Sequence, residues 1–253
     1  PGLDRRLLQG GLPSFFTASG FPEKELKEWF DAYWAKDIQE IFTVGKKFAF
    51  QKFAHLLAAQ SGGIFEATKF AHLCEVSRPT ITSYLEVLDA TFVVHIIKPF
   101  STHKPTELVS APKIYGFDTG FVCYAKGWSS LRLEDNGLLW EHCVLNELQG
   151  RFQRSIEINY WRDKQGREID FVIRRRGKQA VDAIECKFST LSIDGDWNAM
   201  KSMYTNIAAF RKYYPEGKNY IVVSNALMPF SRKVEDLVFW FVRPVDLVKE
   251  LML

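Results

Sequence analysis

Long apolar runs are missing from this chain of 253 residues. The longest, Leu237–Val242, falls far short of the roughly 20 residues that cross a bilayer. No charged-then-apolar leader opens the sequence, so neither a signal peptide nor a membrane partner is expected. Cysteine is scarce. Cys74, Cys123, Cys143 and Cys186 stand far apart without paired spacing, which argues against a disulfide frame or a zinc knuckle and reads as reduced thiols in a cytoplasmic protein. Charge of one sign is not in excess: Lys plus Arg number 33 against 30 Asp plus Glu, a net charge of +3. That balance excludes a histone-like polycation but leaves room for a local basic groove. No G-x-x-x-x-G-K-[ST] occurs, and Gly45-Lys46-Lys47 lacks both the earlier glycine and the Ser/Thr, so ATP hydrolysis is not expected of these residues. G-x-S-x-G and H-E-x-x-H are absent too.

What is present is a sizeable core: 47% hydrophobic and 15% aromatic residues, too rich for a disordered chain. The length suits one large domain or two smaller ones. From Glu23 to Leu88 the apolar spacing is helical. One stripe runs through Phe30, Tyr33, Trp34, Asp37 and Ile38, and a second through Phe50, Phe53, Ala54, Leu57 and Ala58, ended by Gly62-Gly63. Ala67–Cys74 predicts a short helix, Glu75-Val76-Ser77 a turn, and Pro79–Leu88 a longer helix capped by Ser77. Thr91–Lys98 and Lys113–Phe117 follow as strands. Two helices joined tightly and followed by two strands make a winged-helix pattern. Arg78, Thr80, Thr82, Ser83 and Tyr84 then lie on or near its recognition helix. With one basic residue on that helix, a protein-contact module is as consistent as a groove reader.

Residues 120–135 carry Gly, Ser and mixed charge and are taken as the boundary between two modules, 1–130 and 131–253. In the second, Asn136–Gln149 predicts a helix, Ser155–Trp161, Glu168–Arg174 and Ala180–Phe188 strands, and Asp196–Tyr213 a helix. Asn219–Ser224 predicts a strand and Val238–Val242 a further strand or buried segment. The expected class is α+β, a helical winged-helix module followed by a mixed sheet with flanking helices.

The informative residues are charges where a core would rather have none. On the strand Glu168–Ile173, strict alternation puts Glu168 and Asp170 on one face and Ile169, Phe171 and Ile173 on the other. One strand on, Glu185 and Lys187 share a face. Glu141 falls among Leu138, Val144, Leu145 and Leu148 on the apolar side of its helix, where a carboxylate needs a cationic partner or a metal; Glu147 lies nearer the edge of that stripe. Three carboxylates (Glu141, Asp170, Glu185) and Lys187 suit phosphodiester hydrolysis. Hard oxygen ligands take Mg²⁺ or Mn²⁺, and the lysine orients the attacking water or neutralises charge on the phosphate. A cross-strand ion pair is the plainer alternative for Glu185 and Lys187. Arg162, Lys164, Arg167, Arg174, Arg175, Arg176 and Lys178 form a basic cluster nearby. It would attract a phosphate backbone, or it is a solvated hairpin tip around Gln165-Gly166 and Gly177.

Nearly the whole chain resembles the C-terminal portion of a large prokaryotic family of AAA-type ATPases. The resemblance is carried by Gly10-Gly11-Leu12-Pro13, Trp29-Phe30-Asp31-Ala32-Tyr33, Lys36-Asp37-Ile38 and Ser77-x-Pro79-Thr80. It continues through Pro112-Lys113-Ile114-Tyr115, Asp118-Thr119-Gly120, Glu141 with Asn146-Glu147-Leu148, Tyr160-Trp161-Arg162, Glu168-Ile169-Asp170-Phe171-Val172 and Ile184-Glu185-Cys186-Lys187. In that family an ATPase core precedes a winged helix and a domain that looks like the PD-(D/E)XK nuclease fold. The resemblance implies Glu141 as the helix carboxylate, Asp170 as the first strand acid, and Glu185 with Lys187 as the paired motif, with Ile169 where the superfamily carries its proline. The winged-helix pattern and the basic cluster make DNA the expected partner, engaged by Arg78, Thr80, Lys164, Arg167 and Arg174–Arg176, and the resemblance further implies an ATPase core in the parent chain. The expected function is that of a Mg²⁺- or Mn²⁺-dependent DNA endonuclease-like module; the alternative is a DNA- or protein-binding appendage without catalysis.

Overall fold

The computed structural model describes residues 2–33, 47–102, 111–152, 155–175, 177, 179–188, 197–225 and 228–252. The expectations for Trp34, Asp37, Ile38, Arg176, Lys178 and Asp196 lie outside the described residues. Ten helices and two sheets, of three and six strands, are present among those described, which makes the protein α+β. None of these helices is long and apolar enough to cross a membrane. The chain divides into two units: Pro1–Ile96 with Ala111–Asp135, and Ile97–Ser110 with Asn136–Leu253.

The first unit contains α1 (Gly2–Gln9), α2 (Pro13–Phe16), α3 (Glu23–Tyr33), α4 (Lys47–Ala59), β1 (Gly63–Ile64), α5 (Ala67–Cys74), α6 (Arg78–Ala90), β2 (Val94–Ile97), β3 (Lys113–Gly116) and α7 (Thr119–Lys126). Its sheet runs β1-β3-β2. Phe50, Phe53 and Leu57 of α4 close on Phe70 of α5 and on Ile81, Tyr84 and Leu88 of α6, so the helical periodicity of that stretch records one core. Ser77 caps α6: its hydroxyl accepts the Thr80 N–H at 3.3 Å and lies 2.8 Å from the Thr80 hydroxyl. The strand expected from Thr91 begins later. Thr91 instead ends α6, its N–H and its hydroxyl both donating to the Val87 carbonyl.

Residues 120–135 are not simply a boundary, because α7 occupies their start. Asp118 caps it, accepting the Gly120 N–H at 2.8 Å, and accepts the Gly11 N–H at 2.7 Å. Gly10 has φ +83, and a Cβ there would sit 1.8 Å from Asp118 Oδ1; one on Gly120 would sit 2.5 Å from the Gln9 carbonyl oxygen. The Gly10-Gly11 and Asp118-Thr119-Gly120 motifs are thus two halves of one joint. Gly120 is required by close packing, which composition alone makes look like a linker. Burial pushes the Asp118 carboxyl up, against the Gly11 N–H and the Arg6 guanidinium.

The second unit contains α8 (Asn136–Phe152), β4 (Ile156–Arg162), β5 (Glu168–Arg175), β6 (Val181–Lys187), α9 (Trp197–Arg211), β7 (Asn219–Val223), β8 (Phe230–Val234), β9 (Leu237–Val242) and α10 (Pro244–Met252). The sheet order is β4-β5-β6-β7-β9-β8. Antiparallel pairing joins β4, β5 and β6, parallel pairing joins β6 to β7 and β7 to β9, and β8 returns antiparallel to β9. The alternation of β8 is mostly exposed and left no apolar run to read. Met200, Met203, Ile207 and Phe210 of α9 pack with Trp161, Val172, Ala183 and Ile221 of the sheet. Trp140 of α8 donates its indole N–H to the Val222 carbonyl of β7 at 2.9 Å. After β2 the chain joins this unit: Tyr160 N–H donates to the Lys98 carbonyl at 3.0 Å, and Pro99 pairs in parallel with Tyr160.

A buried arginine fixes the approach to β7. The Arg211 guanidinium donates to the carbonyls of Val181, Tyr214, Glu216 and Lys218 and to the Asn219 side-chain oxygen. Burial pulls its pKa down to about 10. Gly217 passes at φ +122, where a Cβ would lie 2.0 Å from the Val181 oxygen. β7 is thereby held alongside β6, the strand that bears Glu185 and Lys187.

Candidate functional site

The regular ladder of β5 and β6 runs from Arg174↔Val181 to Phe171↔Ile184. On its other edge β5 is irregular: Asn159 pairs with Val172 but Trp161 with Ile169, so Asp170 and Phe171 together stand opposite Tyr160 alone. This is a β-bulge, which bends the strand and re-aims a side chain. Strict alternation therefore fails here. Ile169 packs in the same core cluster as Val172 instead of on the other side. The re-aimed Asp170 carboxylate reaches across to β6 and accepts the Cys186 N–H at 2.7 Å.

That hydrogen bond brings Asp170 beside Glu185, which is only 2% exposed. Lys187 Nζ lies 3.2 Å from Glu185 Oε2. Among the described residues, Glu185 Oε1 is buried with no hydrogen-bond partner. Burial, reinforced by the Asp170 charge, pushes the Glu185 carboxyl up to about 8, against the opposing pull of Lys187. The Lys187 ammonium loses solvation, but the charges of Glu185 and Asp170 outweigh that and raise its pKa. It is a fixed cation at neutral pH. Burial and the surrounding carboxylates of Asp170, Glu141 and Glu185 push the Cys186 thiol far up, so it serves packing and not nucleophilic chemistry.

Asp170, Glu185 and Lys187 are brought together as expected. Glu141 is half-buried on α8, between the buried Trp140 and His142, and its charge is felt at the Cys186 thiol. Among the described residues no group of three or more His, Cys, Asp or Glu side chains is arranged to hold a metal ion, so the expected three-carboxylate set with Glu141 is not assembled. Glu147 pairs with Arg151 at 3.0 Å. Glu168, counted only for its place on the strand, adds to the upward push on Glu185. Its cross-strand partner Arg162 lies 3.8 Å away; counting outward from the Gln165-Gly166 turn would have found that pair.

Among its described residues the basic cluster is mostly matched by acids. Arg167 binds Asp163, Arg174 binds Glu157, and Arg175 lies 3.3 Å from Asp182. Lys164 is exposed at the hairpin tip. Arg78 is exposed at the start of α6, whereas Thr80 is engaged in the Ser77 cap and Tyr84 is fully buried. The exposed side of α6 also carries Glu86 and Asp89.

Two family models match the chain in series, and both are described as a domain of unknown function. One (DUF8612) covers residues 1–132 and the other (DUF4143) covers residues 136–238. No curated protein matches the sequence. The first model spans more than half of the 253 residues, and the chain accordingly belongs to the DUF8612 family, with a DUF4143 match following in the same chain.

Proposed function

We propose that Asp170, Glu185 and Lys187 form a metal-dependent centre for phosphodiester hydrolysis acting on DNA. The observation that carries this reading is the buried, unpartnered Oε1 of Glu185 beside a second carboxylate and a fixed ammonium. A buried carboxylate oxygen without a donor is costly and is satisfied by a cation. Asp170 and Glu185 fit Mg²⁺ or Mn²⁺, since Mg²⁺ keeps much of its shell as water and takes one or two protein carboxylates. Such an ion, when bound, polarises a phosphoryl oxygen and lowers the pKa of its water. Lys187, protonated throughout the neutral range, acts as an electrostatic group and not as a base: it orients the nucleophilic water and offsets charge growing on the phosphate.

The resemblance to the C-terminal portion of AAA-type ATPases supports a parent chain whose ATPase core is a partner of this module, and the second unit as a nuclease-like domain. All four cysteines are free, in keeping with a cytoplasmic setting. The second reading, a non-catalytic appendage that contacts protein, is favoured by the acids on α6 and by the ion-paired hairpin arginines.

Cleavage of supercoiled, single-stranded and branched DNA with Mg²⁺ or Mn²⁺ tests the reading. Activity should drop by about 100-fold or more in Lys187→Ala. No cleavage by the intact chain, or equal cleavage by the variant, favours the appendage.

A further inference from the structure

Within the reading of Asp170, Glu185 and Lys187 as a phosphodiester centre, on which this rests, we infer that Arg162 is the residue that binds the substrate phosphate. It does so by leaving Glu168 for a phosphate oxygen of the DNA backbone. The hairpin arginines differ in how firmly they are held. Arg167 and Arg174 make close charged hydrogen bonds to Asp163 and Glu157, and Arg175 sits 3.3 Å from the buried Asp182. Among the described hairpin arginines Arg162 is held most loosely, with its Nε 3.8 Å from Glu168 Oε2 and its side chain 45% exposed. A pair of that length and exposure is weak and is readily exchanged.

Its position separates it further. The partner of Arg162, Glu168, stands two residues before Asp170 on the same strand. The Arg162↔Glu168 pairing continues the strand pair past the bulge that re-aims Asp170. Lys187 also pairs with Glu185, so a further cation beside it strengthens the hold on the phosphate. A guanidinium offers two parallel N–H groups to phosphate oxygens, which an ammonium does not. Glu168 then serves as a parking acceptor that keeps Arg162 at the edge of the site until DNA arrives.

The test is binding of a short fluorescein-labelled DNA duplex to the full chain, by anisotropy across a salt series in Mn²⁺, alongside Mn²⁺ titration calorimetry. Arg162→Gln should weaken DNA binding by about ten-fold and lower the salt slope by about one, while Mn²⁺ binding and melting temperature stay unchanged. Arg162→Lys should recover part of the loss. Glu168→Gln should tighten DNA binding, and that gain should vanish in the double variant with Arg162→Gln; a simple removal of negative charge would leave it intact. Normal Mn²⁺ binding with unaltered DNA affinity and slope in Arg162→Gln overturns the role of Arg162 and leaves the metal centre standing. Absence of Mn²⁺ binding in the intact chain overturns both.

Discussion

Asp170 and Cys186 are joined by a side-chain-to-backbone hydrogen bond of 2.7 Å at the point where the β5–β6 ladder stops. The carboxylate takes the N–H that the next rung would have used. One interaction therefore ends the strand pairing and sets an acid next to Glu185. Structure and chemistry can be separated at this residue. Asp170→Asn keeps an acceptor for the Cys186 N–H and should leave thermal stability nearly unchanged, while Asp170→Ala strands that N–H and should lose about 1–3 kcal/mol. Denaturant melts distinguish the two, and both variants should lose DNA cleavage.

Glu185 makes stability depend on pH in a defined direction. In the folded chain its carboxyl holds a proton up to about 8, against an ordinary value of 4.5. Between those values the folded state binds more protons than the unfolded one, so stability is fully present below about 4.5 and falls as pH rises through about 8. Asp118, also raised by burial, contributes in the same direction. Melts of the intact chain and of Glu185→Gln should therefore diverge across this window, the variant giving the flatter profile. Mn²⁺ should restore the lost stability of the intact chain near its upper end.

The joint at Asp118 predicts unequal effects at two glycines with nearly equal backbone angles. Gly10 has φ +83 and no room for a Cβ, while Gly166 has φ +82 and nothing within 4 Å. Gly166→Ala should lose about 1–2 kcal/mol from the left-handed conformation alone. Gly10→Ala adds a collision with the Asp118 carboxylate and should lose several kcal/mol more, read as a lower midpoint in urea. Similar losses at the two positions would contradict the joint.

Much of this architecture is legible in the chain because it is written in local patterns. The 3.6-residue stripes of α4 to α6, the Ser77 cap and the β-branched strands each follow from neighbours in sequence. The clustering of Asp170, Glu185 and Lys187 was legible for the same reason, from charges standing in apolar strands. What escaped depends on long-range geometry. The bulge at Asp170 arises from how β4 pairs with β5, which period-two counting on one strand cannot see. α7 was hidden because Gly120 looks like a linker residue until Gln9 and Asp118 close on it. The acids that pair with the hairpin arginines, Glu157, Asp163 and Asp182, were not legible because they meet them only through strand register and the hairpin turn. Glu141 fell on the apolar side of an ideal wheel, yet α8 buries Trp140 and His142 around it and leaves it half-exposed.

The claim on which the account turns is that Asp170 and Glu185 hold a divalent cation. Titration calorimetry of Mn²⁺ into the intact chain and into Glu185→Gln, at a pH above 8, tests it most directly. The account predicts binding of about one ion per chain, lost in the variant. An intact chain that takes up no Mn²⁺, or a variant that takes it up equally well, would contradict it.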